Sequence, residues 1–150
     1  MKKSIMTVII VLMTMACSGI NSNIYIPNFY INKKANEKIY IKENLIADLE
    51  VKNVDTRVKD GKIHSTLSYS YGDTKGIIKV ATGLLIEGNK LYLKDVEFIR
   101  DSQDSTITTA IEKLILKAME YKVLYDFSER NIIVDDIELT NKGMTLKISK

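Results

Sequence analysis

Residues 45–100 alternate apolar and polar side chains with a period of two, interrupted at regular intervals by Asp60-Gly61, Gly72-Asp73 and Gly88-Asn89. Alternation of this kind sends successive side chains to opposite faces of a strand, and two-residue loops of this composition join neighbouring strands as hairpins. The stretch predicts four antiparallel strands in a meander. Ile63, Leu67, Tyr69 and Tyr71 alternate with Lys62, His64, Thr66, Ser68 and Ser70, and Ile78, Val80, Leu84 and Ile86 continue the pattern, so one face is apolar and the other wet. In the first strand Leu45, Ala47, Leu49 and Val51 share one parity, whereas Val54, Thr56 and Val58 have the other. That switch predicts a β-bulge near Asn53, and bulges bend sheets.

The flanks of the meander read differently. Pro27, the single proline, suits the first turn of a short helix running to about Ile39, with residues 23–26 as an extended lead-in. Asp104 or Ser105 can cap a second helix over residues 106–121. Its apolar positions are Ile107, Ala110, Ile111, Leu114, Ile115, Leu116, Ala118 and Met119, which leaves Glu112, Lys113, Lys117 and Glu120 as a narrow polar stripe. A helix lying flat on a sheet needs an apolar stripe only about 100° wide. The excess predicts a helix embraced by a curved sheet or by a ligand. Two further alternating runs, Ile133, Ile137, Leu139 and then Met144, Leu146, Ile148, surround an Asn141-Lys142-Gly143 turn and predict a final hairpin extending the same sheet. The expected fold class is α+β: a curved antiparallel sheet of about six strands wrapped around one long helix, plus a short N-terminal helix.

The N-terminus carries a separate message. Lys2 and Lys3 precede an apolar run of signal-peptide length, Ile5 to Met13, too short for the roughly 20 residues of a membrane span. The run ends at Ala16-Cys17, a small residue directly before the chain's one cysteine. Lipoprotein signal peptidase requires that arrangement, although Thr14 stands where a leucine is usual and Leu12 lies two residues further back. The expected organisation is a cleaved signal at 1–16, a lipidated Cys17 with a tether over 17–23, and one domain over 24–150. An unpaired thiol in an exported protein also favours lipidation, and each buried methylene of the acyl chains adds about 0.8 kcal/mol to the anchor. With Cys17 acylated no disulfide is available, so the domain must be stable through its core.

Removing the signal leaves 134 of the 150 residues, enough for one self-sufficient core. Without Lys2 and Lys3 the net charge of +3 falls to +1, which gives no argument for nucleic acid as a partner. Catalytic signatures are scarce. The single histidine, His64, falls on the wet parity of its strand, and no serine-hydrolase elbow, zinc-protease helix, phosphate loop or Cys/His cluster occurs. The acidic neighbours Asp135 and Asp136 would point to opposite faces of a strand. Tyr69, Tyr71 and Tyr92 offer aromatic surface for a sugar, with ordinary core positions as the simpler reading. No metal, cofactor or catalytic residue is expected.

In this order of parts the chain resembles the YceB-like family of bacterial lipoproteins, grouped with tubular lipid-binding domains. The resemblance rests on Cys17, the short helix after Ile24-Tyr25-Ile26, the strand of residues 45–58 entering a hairpin, and the run Gly88-Asn89-Lys90-Leu91-Tyr92-Leu93-Lys94-Asp95-Val96-Glu97-Phe98. The second helix and the closing strands of residues 132–148 complete it. The stretch 122–131 between them is short, and the family has no catalytic motif to transfer. The resemblance implies a fold and a compartment: the cell envelope, and the periplasmic face of the outer membrane where the host has two membranes.

These readings lead to a lipid-anchored, non-enzymatic envelope protein. Its expected site is an apolar groove between sheet and helix for an acyl chain or similar amphiphile, lined by Leu67, Tyr69, Leu84, Ile86, Phe98, Ile111, Leu114, Ile115 and Ala118. The alternative is a lipoprotein with a closed core that acts through an envelope protein partner.

Overall fold

A computed structural model describes residues 21–100 and 109–149. Cys17, the signal segment and the expected start of the second helix at residue 106 lie outside the described residues. The element order is β1 (Asn21–Pro27), α1 (Asn28–Lys38), β2 (Tyr40–Asn44), β3 (Asp48–Lys59), β4 (Lys62–Tyr71), β5 (Thr74–Glu87), β6 (Lys90–Ile99), α2 (Thr109–Met119), β7 (Val123–Asp126), a 3-10 turn (Ser128–Arg130), β8 (Ile133–Thr140) and β9 (Gly143–Ser149).

The meander forms where the alternation places it. β2-β3-β4-β5-β6-β7 make one antiparallel sheet in sequence order. At the β3–β4 loop, Asp60 and Gly61 both adopt positive φ (52° and 74°), matching the right-handed twist of the flanking strands. The parity switch in β3 appears as a register shift between Asn53 and Asp55. A second shift between Ala81 and Gly83 in β5 adds to the curl.

Three expectations fail in the fold. The first is the long wrapped helix: the molecule is mostly strand, and α2 is an 11-residue helix that packs beside β6. Only Ile111, Ile115 and Met119, one residue per turn, are buried on it, while Leu114, Leu116 and Ala118 stay half-exposed. The space inside the curl is occupied by α1, which touches both β3 and β7 and sends Ala35 into the same core as Ile115. A narrow stripe is therefore all that α2 needs to bury.

The second is the closing hairpin, which joins a separate three-stranded sheet, β1-β9-β8, and does not extend the six-stranded one. The outer place on β6 is already filled by β7, a strand within the short stretch 122–131 for which none was expected. The lead-in instead pairs with β9 from Asn21↔Ser149 to Pro27↔Gly143, so the strand begins inside the expected tether. The third is Leu45 and Ala47, which lie in the β2–β3 turn and leave β3 to begin at Asp48.

The small sheet closes one end of the large one. Val134 N donates to Gly88 O (3.1 Å) on the β5–β6 turn, and Asp60 N on the β3–β4 turn donates to Asn141 Oδ1 (3.0 Å). β8 thus spans from one turn to the other. Ile26, Ile31, Val58, Ile63, Leu91, Val134, Met144 and Leu146 fill the space beneath it as a second core.

Candidate functional site

The nine expected groove residues end up mostly together but not around one shared opening. Leu67, Tyr69, Ile111 and Ile115 are buried in the first core, with Leu67 and Ile115 at 0% exposure. Leu84, Phe98, Leu114 and Ala118 pack half-buried against them, while Ile86 belongs to the second core and Leu84 touches both. The Tyr69 ring occupies the space above Gly76, where an added Cβ would stand 2.7 Å from it. Four of the nine are therefore buried core side chains rather than walls of an open groove.

Two open depressions lie on the surface, and three of the nine residues border them. A cleft of about 280 Å³ between β5 and β8 is lined by Gly61, Gly83, Leu84, Ile86, Asp136, Ile137 and Leu139. It includes two of the nine expected residues. On the outer face of β3, β4 and β5, a trough of about 450 Å³ is lined by Glu50, Lys52, Ser68, Tyr69, Ser70, Lys75, Gly76 and Ile77, and so includes one of the nine expected residues. There Lys52 Nζ lies 2.5 Å from Glu50 Oε1, and this hydrogen bond holds the Glu50 carboxyl below its ordinary pKa and raises that of Lys52.

The other candidate side chains do not converge. His64 is half-exposed on the outer face of β4. Tyr69 and Tyr71 join the first core, whereas Tyr92 has the opposite parity from Leu91 and Leu93, so the three tyrosines share no surface. Asp135 accepts from Ser149 Oγ (3.2 Å) and Asp136 pairs with Lys147 (3.7 Å). Among the described residues no group of three or more His, Cys, Asp or Glu side chains is placed to hold a metal ion. Tyr125 Oη donates to Tyr30 O (3.3 Å) between β7 and α1, and burial pushes its pKa well above the ordinary tyrosine value, so it remains a donor.

The strongest local chemistry is on the sheet edges. β2 ends its pairing at Tyr40↔Lys52, which leaves the following N–H groups of β3 without a strand partner. Asparagines replace it. Thr56 N donates to Asn32 Oδ1 (2.8 Å), Val58 N to Asn28 Oδ1 (2.7 Å) and Asp60 N to Asn141 Oδ1. The spacing explains the match: four residues of helix rise about 6.0 Å, and two residues of strand about 6.6 Å. Asn53 Nδ2 links Asn32 Oδ1 (3.0 Å) with Asn36 Oδ1 (2.6 Å). Thr56 Oγ1 donates to Asn53 Oδ1 (2.6 Å), so the buried contact between Thr56 and Ser65 (2.8 Å) must use the Ser65 proton.

On the opposite edge β7 pairs with β6 only as far as Tyr92↔Val123. Beyond it, Glu120 at the end of α2 accepts from Asp95 N (3.0 Å) and Val96 N (3.1 Å), with Asp95 at φ 56°. The asparagines at 28, 32 and 36 could have been noticed as a four-residue repeat on one helix face. Nothing local in the sequence marks Glu120.

Exposed apolar groups are spread over the surface, with Tyr40, Val54, Ile77, Ile99, Tyr121 and Ile133 standing apart from two pairs. Leu45 and Ile46 form the tip of the β2–β3 turn, and Tyr25 and Phe29 flank the junction of β1 and α1. No helix among the described residues is long and apolar enough to cross a membrane. Comparison of the chain with protein-family models, curated protein sequences and solved structures finds no match, so the likeness to YceB-like lipoproteins remains one of order and pattern.

Proposed function

We propose that the chain is a lipid-anchored, non-enzymatic interaction module of the cell envelope, held through Cys17 and working through its surface. The observation that carries this reading is the filled interior: Leu67 and Ile115, central to the expected amphiphile groove, have no exposed surface. The basic and apolar N-terminus ending at Ala16-Cys17 supports the anchor. A host with two membranes would carry the module on the periplasmic face of the outer membrane.

A second reading keeps an acyl chain or similar amphiphile as ligand and moves it to the β5–β8 cleft. It is favoured by the half-exposed Leu84, Ile86, Ile137 and Leu139 on the walls of that cleft. Native mass spectrometry of the full chain, extracted from membranes in mild detergent, separates the two. The interaction module predicts a polypeptide starting at Cys17 with its covalent acyl groups and nothing more. A stoichiometric free lipid that is lost in Leu139→Asp would establish the cleft instead. Cys17→Ala should move the protein out of the membrane fraction, and a variant that stays there would remove the anchor.

A further inference from the structure

The corner formed by the end of β1, the start of α1 and the β8–β9 turn gathers an unusual set of exposed side chains. Tyr25 is 53% exposed and Phe29 68%. Tyr25 Oη donates to Lys142 O (3.0 Å), and Asn28 N donates to the same carbonyl (3.1 Å). Both aromatic residues and the exposed Lys142 therefore surround one turn, and Lys33 follows Phe29 by one helical turn. Phe29 packs edge-on against Tyr30 at 5.2 Å between centroids and still leaves 68% of its surface exposed.

We propose that this corner rests on the membrane, with Tyr25 and Phe29 at the depth of the lipid headgroups and Lys33 and Lys142 reaching the phosphates. The inference rests on the Cys17 anchor proposed above. Tether length is what commits the occupant. Cys17 and Asn21 are separated by four residue steps, at most about 14 Å of chain. β1 then adds roughly 20 Å to the Tyr25 and Phe29 corner. A domain held so close meets the bilayer at a high effective concentration, so a patch of two aromatic side chains is enough to set its orientation. Aromatic rings with an apolar body and lysines with long apolar stems are the side chains that settle at this depth. On the adjacent β3–β4 turn the exposed Lys59 and Asp60 offset one another, so the aromatic rings are the part of the contact that a fluorescent reporter reads.

The chain contains no tryptophan, so Phe29→Trp supplies a single reporter at an exposed site. Ile46→Trp supplies its counterpart on the β2–β3 turn, at the other end of β3 and roughly 35–40 Å of strand away. Each full-length variant, extracted from membranes, is reconstituted into phosphatidylethanolamine/phosphatidylglycerol vesicles with and without brominated acyl chains. The proposal expects the Phe29→Trp emission to shift to the blue and to lose most of its intensity in brominated vesicles, with Ile46→Trp unchanged. Acylated protein whose Phe29→Trp emission matches Ile46→Trp would overturn the docking and leave the anchor standing. Absence of acyl mass on Cys17 would overturn both.

Discussion

The six-stranded sheet has two incomplete edges, and the protein closes them with different chemistry. On β3 three neutral amides, Asn28, Asn32 and Asn141, take alternate backbone N–H groups, and Asn53 ties two of the helix asparagines together. On β6 a single carboxylate, Glu120, takes two adjacent N–H groups at a left-handed residue. An amide both donates and accepts, so it can be linked into a partly buried network without burying charge. A carboxylate only accepts, but its bonds are charge-assisted and it suits an exposed position. The amide edge brings α1 into the curl; the carboxylate edge holds only the end of α2. The helix expected to be wrapped lies beside β6 and sends Ile111, Ile115 and Met119 into the first core, while α1 packs on β3 and β7.

Substitutions that break this comparison should rank accordingly. Gly143→Ala is expected to have the largest effect, because its Cβ would collide with the Ile26 carbonyl oxygen and stand 2.8 Å from Pro27 Cα, prising β1 and α1 from β9. Overpacking of this kind costs about 3 kcal/mol, measurable by urea unfolding. Asn32→Ala removes the acceptor for Thr56 N and one partner of Asn53, for about 2 kcal/mol. Asn32→Asp should recover part of that loss, because the acceptor is restored; equal unfolding midpoints for the two variants would mean that the amide edge is not holding α1.

Glu120→Ala is expected to cost about 1 kcal/mol, since water can reach the freed N–H groups on the exposed edge. Glu120→Gln should cost less. A loss from Glu120→Ala larger than that from Asn32→Ala would reverse the ranking of the two edges. The smallest effect is at the end of β7, where hydrogen bonds from the Ser128 hydroxyl and backbone N–H hold the Asp126 carboxyl below its ordinary pKa. A carboxyl depressed in the folded state adds stability above its unfolded pKa and loses it as pH falls through the folded value. Ser128→Ala should therefore be slightly less stable than the parent at neutral pH, with the difference shrinking below about pH 4.

Much of the sheet was legible because hairpins are local. Asp60-Gly61 announced its turn, and the parity switch between Val51 and Val54 announced the bulge beside Asn53. Pro27 marked the start of α1 to within a residue. What escaped was non-local or weakly patterned. β1 pairs with β9 across more than 100 residues, and nothing in residues 23–26 names that partner. β2 buries only Ile41, and β7 has four residues, so neither shows a countable alternation. The excess of apolar positions on residues 106–121 suggested enclosure, yet Leu114, Leu116 and Ala118 remain half-exposed. Of the expected site, the sequence identified residues that pack together, Leu67 with Ile111 and Ile115, because parity marks inward positions. Parity does not say whether the space between them is open, and here all three are buried core side chains.

Amide hydrogen exchange at Thr56, Val58, Asp95 and Val96, read residue by residue, tests most directly whether helix side chains close both edges. The expected result is protection at all four in the parent, loss at Thr56 but not Asp95 in Asn32→Ala, and loss at Asp95 and Val96 but not Thr56 in Glu120→Ala. Exchange at the unprotected rate at these positions in the parent protein would contradict the account.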